Sequence, residues 1–419
     1  MTTTRRDFIK TVGAALATAQ IPPQSPPTLE PYAAAEFTAP HPLVPPQPGA
    51  KRKVIYDQDN SGPFGTDILG TLMMLQADNV DLLGITLVTG DAWMKQEMAY
   101  TLRLLELMGR TEIPVYPGAE FPMLNTKEEW QLRQQLYGGH RLDPWMGAFN
   151  RTNGGPDDIN PLPPPYDRFA ENIKPQEEHA AHFLIKTIRA NPGEVTIYAG
   201  GPLTNLALAT ALAPDIVPLV PEVVMMGTGF HVFTNAFNMF FDPESARKVL
   251  RAPWPKFTIV TVDLAEEIHE GDEITPGHKM IEEIAARAEN PISDLFQKYA
   301  VEPLQADPNH KFFRMADEMI AAQIIDPTVF AKTEPMYVDI CTTPGPRYGD
   351  SMFWPRNWQA VPDAGKNVSA ADRRVFIDPR QYYMGPPPSA GLVNVLQEID
   401  HARFKKLFVE LMTKPIRKS

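Results

Sequence analysis

A chain of 419 residues, 43% of them apolar, has enough material for a large core in one or two domains. Its net charge of -12 argues against a nucleic-acid backbone as partner, because phosphate binding asks for a basic face. The single cysteine, Cys341, excludes an internal disulfide. No apolar run reaches the roughly 18 residues of a membrane span.

The first residues place Arg5 and Arg6 before Phe8, Lys10 and a short apolar stretch that ends in the small residues Ala17-Thr18-Ala19. This resembles a twin-arginine export signal over 1–20, so a periplasmic or otherwise exported protein is expected. Residues 21–50 are crowded with proline and read as an extended arm. Ordered structure is expected from about Lys53. Val54-Ile55-Tyr56 forms a short strand that ends in acids, and Ile68 to Ala77 has helical spacing. Leu82 to Val88 is a near-continuous apolar run, the pattern of a strand covered on both faces. Met94 to Met108 is helical, with Gly109 to stop it, and Ile113 to Tyr116 is a third strand. A segment rich in Pro, Gly, Asn and Trp follows over 121–174. Beyond it the spacing predicts helix His179–Ala190, strand Val195–Ala199, helix Leu203–Leu212, strand Val223–Met226 and a helix opened by Asp242-Pro243. Strand Phe257–Val262 and helices near Met280–Tyr299 and Ala316–Ile325 come next. Strand and helix alternate, which predicts an α/β fold with a mostly parallel central sheet and helices on both faces over 51–345. Residues 346–419 read as a C-terminal extension, helical over Asn394–Leu411, packed on that domain.

Ligands of such sheets bind outside the carboxyl ends of the strands. There the sequence places Asp57, Asp59 and Asp67. Read as residues, these acids either gather oxygens for a hard cation or are a helix cap and solvated loop acids. His179 and His182 share a helix face with Glu177 and Glu178 nearby, which reads as a solvated face.

Several segments in order resemble the inosine-uridine preferring nucleoside hydrolases. They are Lys53-Val-Ile-Tyr-Asp-Gln-Asp59, Leu83-Gly-Ile-Thr-Leu-Val-Thr-Gly-Asp91, Val195-Thr-Ile-Tyr-Ala-Gly-Gly-Pro-Leu-Thr-Asn205, Val223-Val-Met-Met-Gly227, Phe237-Asn-Met-Phe-Phe-Asp-Pro-Glu244 and Ala316-Asp-Glu-Met-Ile-Ala321. The resemblance implies Ca2+ held by Asp59, Asp67, the Gly200 carbonyl and Asp317. It implies Asn238, Met226 and Asp91 against a pentose. It also exposes departures. The general-base position carries Thr66, which does not accept a proton near neutral pH, and the position of the leaving-group acid carries Ala316. Asp57 or Asp91 would have to replace the base, and His231 or His140 the acid. A sugar-contacting glutamate falls on Ala236.

The expected function is hydrolysis of the N-glycosidic bond of ribonucleosides by a calcium-bound water, through a transition state with positive charge on the ribose. The alternatives are a catalytically weakened periplasmic member that binds a nucleoside or pentose, and a metal-dependent phosphoesterase. The absence of a His-rich two-metal cluster counts against the phosphoesterase. The expected partner is a small-molecule nucleoside or pentose, with no nucleic acid, and the chain is expected to form a homo-oligomer.

Overall fold

In chain order the elements are β1 (Arg52–Gln58), α1 (Thr66–Gln76), β2 (Val80–Leu87), α2 (Met94–Leu107), β3 (Val115–Tyr116) and α3 (Lys127–Tyr137). There follow α4 (Ala180–Ala190), β4 (Val195–Ala199), α5 (Thr204–Leu212), β5 (Glu222–Met226), α6 (Phe237–Phe241), α7 (Pro243–Leu250) and β6 (Phe257–Val260). The chain then forms α8 (His278–Arg287), α9 (Pro291–Phe296), α10 (Glu302–Ala306), α11 (Asp317–Ile325), β7 (Phe330–Ile340), β8 (Ser351–Pro355), β9 (Gly391–Ile399) and α12 (His401–Thr413). This computed structural model describes residues 50–137, 165–230, 236–265, 278–287, 290–307, 315–356 and 386–417.

The nine strands form one sheet in the order β3-β2-β1-β4-β5-β6-β9-β7-β8. Pairing is parallel from β3 through β6 to β9 and antiparallel where β7 meets β8 and β9. The α/β class and mostly parallel sheet expected from the alternating pattern are therefore what the chain adopts. Alternation along β1 sends Val54 and Tyr56 into one apolar layer with α1, α2, α11 and α12, while Ile55 enters the other with α4, α5 and α7. Both faces are dry, which is why β1 reads as a continuous apolar run. The chain goes from β1 to β2 on one side and places β4 on the other. Such a reversal opens a crevice at the carboxyl ends of the two central strands.

Three segments differ from expectation. Within 121–174, α3 is a helix that buries Trp130 and Arg133. The predicted helix over 280–299 is divided at Asn290-Pro291, where Asn290 accepts the Ile292 N–H as a cap. The helix expected over 394–411 begins as strand β9 and becomes helical at His401, where Asp400 accepts the Arg403 N–H. Val393, Val395 and Leu396 are buried in the sheet, and sheet packing overrides their helix-compatible spacing.

The C-terminal elements are tied in by polar contacts as well as packing. Buried Asp339 of β7 accepts a two-pronged bond from Arg251 at 2.9 and 2.6 Å. Gln76, at the end of α1, donates to the Leu411 and Lys414 carbonyls and accepts the Arg417 N–H. Among the described residues no helix is long and apolar enough to cross a membrane.

Gly391 opens β9 so close to α7 that an added Cβ would lie 1.9 Å from the Leu250 carbonyl oxygen. Backbone must shift to admit it, so Gly391→Ala is expected to destabilise the fold by about 1–3 kcal/mol. The check is a lower urea midpoint; an unchanged midpoint would refute this account of the β9 docking.

Candidate active site

β1 carries Asp57 and Gln58 at its end and delivers Asp59 just beyond it. α1 starts at Thr66 and presents Asp67 in its first turn, and α11 starts with Asp317. These three segments meet at the crevice between β1 and β4. Asp67 and Asp317 lie within hydrogen-bonding reach of each other. Burial raises both, and the neighbouring charge of Asp67 raises Asp317 further, while the contact with Asp317 and the bonds from Ser61 lower Asp67. Asp59 is held well above the usual carboxylate range, first by burial and then by the charges of Asp91 and Asp67.

Glycines make this crowding possible. An added Cβ on Gly90 would sit 2.0 Å from Asp59 Oδ2, and one on Gly200 would sit 1.6 Å from Gln58 Oε1. The Gln58 carboxamide thus lies across Gly200 and donates to Asp317 Oδ2 at 2.9 Å. Asp59 Oδ2 accepts the Asp91 N–H at 2.9 Å, which fixes the turn after β2. Asp67 Oδ2 accepts from the Ser61 N–H and hydroxyl at 3.0 and 2.6 Å. Behind them, Tyr198 donates to the Asp317 carbonyl at 3.0 Å, and its ring packs 4.2 Å from that of Tyr56.

The other predicted residues fall as follows. Asp91 is partly exposed and is pushed up to about 8 by desolvation and then by the Asp67 charge. Asp57 stands apart from this cluster. Its Oδ1 accepts from Thr86 and Asn205 at 2.6 and 2.8 Å, Oδ2 has no partner, and burial lifts its pKa to about 6. Asn238 donates from Nδ2 to the Gly200 carbonyl and, at 3.2 Å, to the Met226 carbonyl. A carbonyl has two lone pairs, so one on Gly200 is left by this bond. Met226 ends β5, where the chain turns through Gly227 and Thr228 with φ of 119° and 86°. A threonine at positive φ is strained, the kind of backbone found at functional sites. His231 and His140 lie outside the described residues. His179 accepts the Ala181 N–H through Nδ1 and caps α4, a structural use that fits the helix-face reading.

Two further acids join the cluster. Glu97 of α2 is wholly buried; its Oε1 accepts the Ala92 N–H at 3.2 Å, Oε2 has no partner, and after burial the charges of Asp59 and Asp67 raise it most. Glu318 follows Asp317 and is also wholly buried, pushed up to about 8 mainly by desolvation. The signal for Glu97 lay in its place among Met94, Met98 and Thr101 on one helical stripe, where an acid is out of keeping with its neighbours.

Among the described residues, no Lys, Arg or His is one of the principal charges acting on Asp59, Asp67, Asp91, Glu97 or Asp317. Among the described residues, no group of three or more His, Cys, Asp or Glu side chains is closed into metal-holding geometry. The acids converge; Asp59, Asp67 and Asp317 turn oxygens onto protein donors and onto one another, while Oε2 of Glu97 and Oε1 of Glu318 have no partner.

A family model described as inosine-uridine preferring nucleoside hydrolase matches residues 54–406. The uncharacterized protein C1683.06c of Schizosaccharomyces pombe is 31% identical over 223 residues, which is 52% of this chain and 63% of that relative. The pyrimidine-specific ribonucleoside hydrolase RihB of Escherichia coli is 28% identical over 318 residues, 72% of this chain and 87% of the relative. Among solved structures, the plant nucleoside hydrolase PpNRh1 has the same fold with a TM-score of 0.61 at 23% identity, over 87% of this chain and 99% of its own.

Asp57 is held at about 6 against an ordinary 3.8, Asp91 at about 8 against 3.8, and Glu318 at about 8 against 4.5. Above about pH 5 these three groups therefore hold more protons in the folded chain than in the unfolded one, and their contribution to stability falls as pH rises through these values. In chelator, the thermal midpoint is expected to drop progressively from about pH 5 to about pH 8. A flat or rising profile by scanning fluorimetry would contradict the burial of these acids.

Proposed function

The chain belongs to the inosine-uridine preferring nucleoside hydrolases, and on that premise we propose that it hydrolyses the N-glycosidic bond of ribonucleosides to ribose and free base at the acid cluster, with calcium bound there. The observation that carries this reading is the meeting of Asp59, Asp67 and Asp317, from three separate segments, beside Gly200 at the crevice between β1 and β4. Buried carboxylates with no cationic side chain among their principal described neighbours call for protons or a metal ion. The unpartnered buried oxygens of Gln58 and Glu97 add to that demand. An all-oxygen set of this kind suits a hard cation.

Asp59, Asp67, Asp317 and the Gly200 carbonyl would hold the ion. When bound, it orients a water and the ribose hydroxyls and stabilises negative charge on the water's oxygen. The water oxygen bonds to the anomeric carbon, and the carbon–nitrogen bond breaks with its electrons passing to the base. Asp91 takes the water's proton on its carboxylate. It is the partly exposed acid of the cluster, and its backbone amide is held against Asp59, one of the proposed ion ligands. Asp57 is the other candidate, but Thr86 and Asn205 fix it in the wall. Asn238, anchored on two backbone carbonyls, and Met226 would face the pentose, and His231 would donate a proton to the departing base. Delivery of the folded protein to the periplasm by the twin-arginine route is part of the same proposal.

One observation favours a binding protein with weakened chemistry as the second reading: Thr66, at the general-base position, gives its hydroxyl to structural bonds.

The test is release of free base from a panel of purine and pyrimidine ribonucleosides with added calcium. Steady release is expected from the wild type, and Asp317→Ala is expected to lose calcium uptake in calorimetry and at least about a hundredfold in kcat. Binding of a nucleoside without base release would select the binding reading, and unchanged calcium affinity in Asp317→Ala would remove Asp317 from the ion site.

A further inference from the structure

Gln58 is the last residue of β1, between Asp57 and Asp59, and it is wholly buried. Its Nε2 donates to Asp317 Oδ2 at 2.9 Å. An ionised carboxylate only accepts hydrogen bonds. With Asp317 ionised, the amino end of the amide must therefore face it, and the oxygen must point elsewhere. The neighbouring glycines show where. An added Cβ on Gly200 would fall 1.6 Å from Gln58 Oε1 and 2.6 Å from Cδ. The carboxamide thus occupies the space in which any other residue at 200 would carry its side chain. One residue on, an added Cβ on Gly201 would fall 2.8 Å from Asp59 Oδ1. The glycine pair after β4 receives the side chains of Gln58 and Asp59 next to each other. The Gly200 N–H, donated to the Asp57 carbonyl at 2.9 Å, fixes that register.

Gln58 Oε1 has no hydrogen-bond partner among the described residues. Buried polar atoms are normally paired, and an unpaired acceptor in a dry site is costly. This one is anchored at its other end and lies beside Gly200 and Asp317, two of the groups assigned to the ion. Calcium takes six to eight oxygens and accepts side-chain amide carbonyls among them. An amide oxygen fills a coordination place without adding another negative charge to acids that already repel one another.

We propose that Gln58 Oε1 is a neutral oxygen ligand of the cation, held in position by the bond from its own Nε2 to Asp317. The inference rests on the calcium reading of the site, and it is independent of which residue takes the water's proton.

The experiment combines calcium calorimetry on the full chain with europium(III) as a luminescent substitute for calcium, whose lifetimes in ordinary and heavy water count the waters left on the ion. Thermal midpoints in chelator verify that each variant is folded. Gln58→Met has a similar volume and no side-chain oxygen. It is expected to weaken calcium binding by about tenfold and to gain about one ion-bound water. Gln58→Asn draws the oxygen back by one methylene and is expected to gain about one water as well, which keeps the test open if the methionine variant does not fold. Gln58→Glu keeps an oxygen at the same reach but loses the donor to Asp317, and is expected to gain no water. An unchanged water count in folded Gln58→Met or Gln58→Asn overturns the ligand even where calcium affinity falls, because the residue then acts only through Asp317. A water gained in Gln58→Glu overturns it too, since the lost donor would account for the change. Absence of calcium uptake by the wild type overturns the reading of the site itself, and the inference with it.

Discussion

Carboxylates repel one another, and water weakens that repulsion only where it can reach them. In this protein Asp59, Asp67, Asp317, Glu97 and Glu318 are gathered at the dry end of a sheet, with Asp91 at the margin. For Asp59, Asp317 and Glu97 the principal effect is loss of water, with the other acids next among the raising influences. Such an arrangement is tolerated only when backbone amides, shared protons or a bound cation take up the charge. Much of the surrounding structure meets this demand. Gly90 and Gly200 let polar side chains lie directly on backbone. The amides of Ser61 and Asp91 are aimed at the acids, and Gln58 bridges β1 to α11.

The sheet topology explains why these acids meet at all. β1 lies between β2 and β4, so its carboxyl end opens onto a crevice that no single βα unit can cover. Asp67 arrives from the helix that follows β1, and Asp317 from a helix some 250 positions further along, the separation spanned by the Thr66 bonds. Tyr56 and Tyr198 fill the space behind them. Their hydroxyls reach Thr71 and the Asp317 carbonyl, so the apolar core and the polar site share the same two rings.

The parallel strands were legible because burial on both faces leaves short, continuous apolar runs. The acids at positions 57, 59 and 67 were visible because they interrupt such runs at strand and helix ends. Glu97 and Glu318 were not singled out. One sits inside a helical stripe otherwise made of Met, Thr and Leu, and the other directly follows a more prominent aspartate. What distinguishes them is contact across the fold, which no local pattern records. β9 was misread for a similar reason. Leu396 and the residues after His401 satisfy a helical period, and only the neighbouring strands select an extended backbone over 394–399. The bonds of Thr66 to the Ala316 and Asp317 amides and to Glu318 were equally out of reach, since those partners lie at α11 and a lone threonine at a helix start suggests only a local cap.

The position of β9 governs the order in which this chain can assemble. It lies between β6 and β7, parallel to the first and antiparallel to the second, and the other eight strands of the sheet precede it. Until it arrives, β6 and β7 each present an edge with unsatisfied amides and carbonyls, the surface through which nascent proteins stick to one another. Pairings between segments so far apart in sequence form slowly because a long loop must close first. The last strand therefore acts as a keystone. A growing chain can fold the β1 to β6 region early, but the wall that supports α7 and the β7–β8 hairpin locks only after β9 has been made.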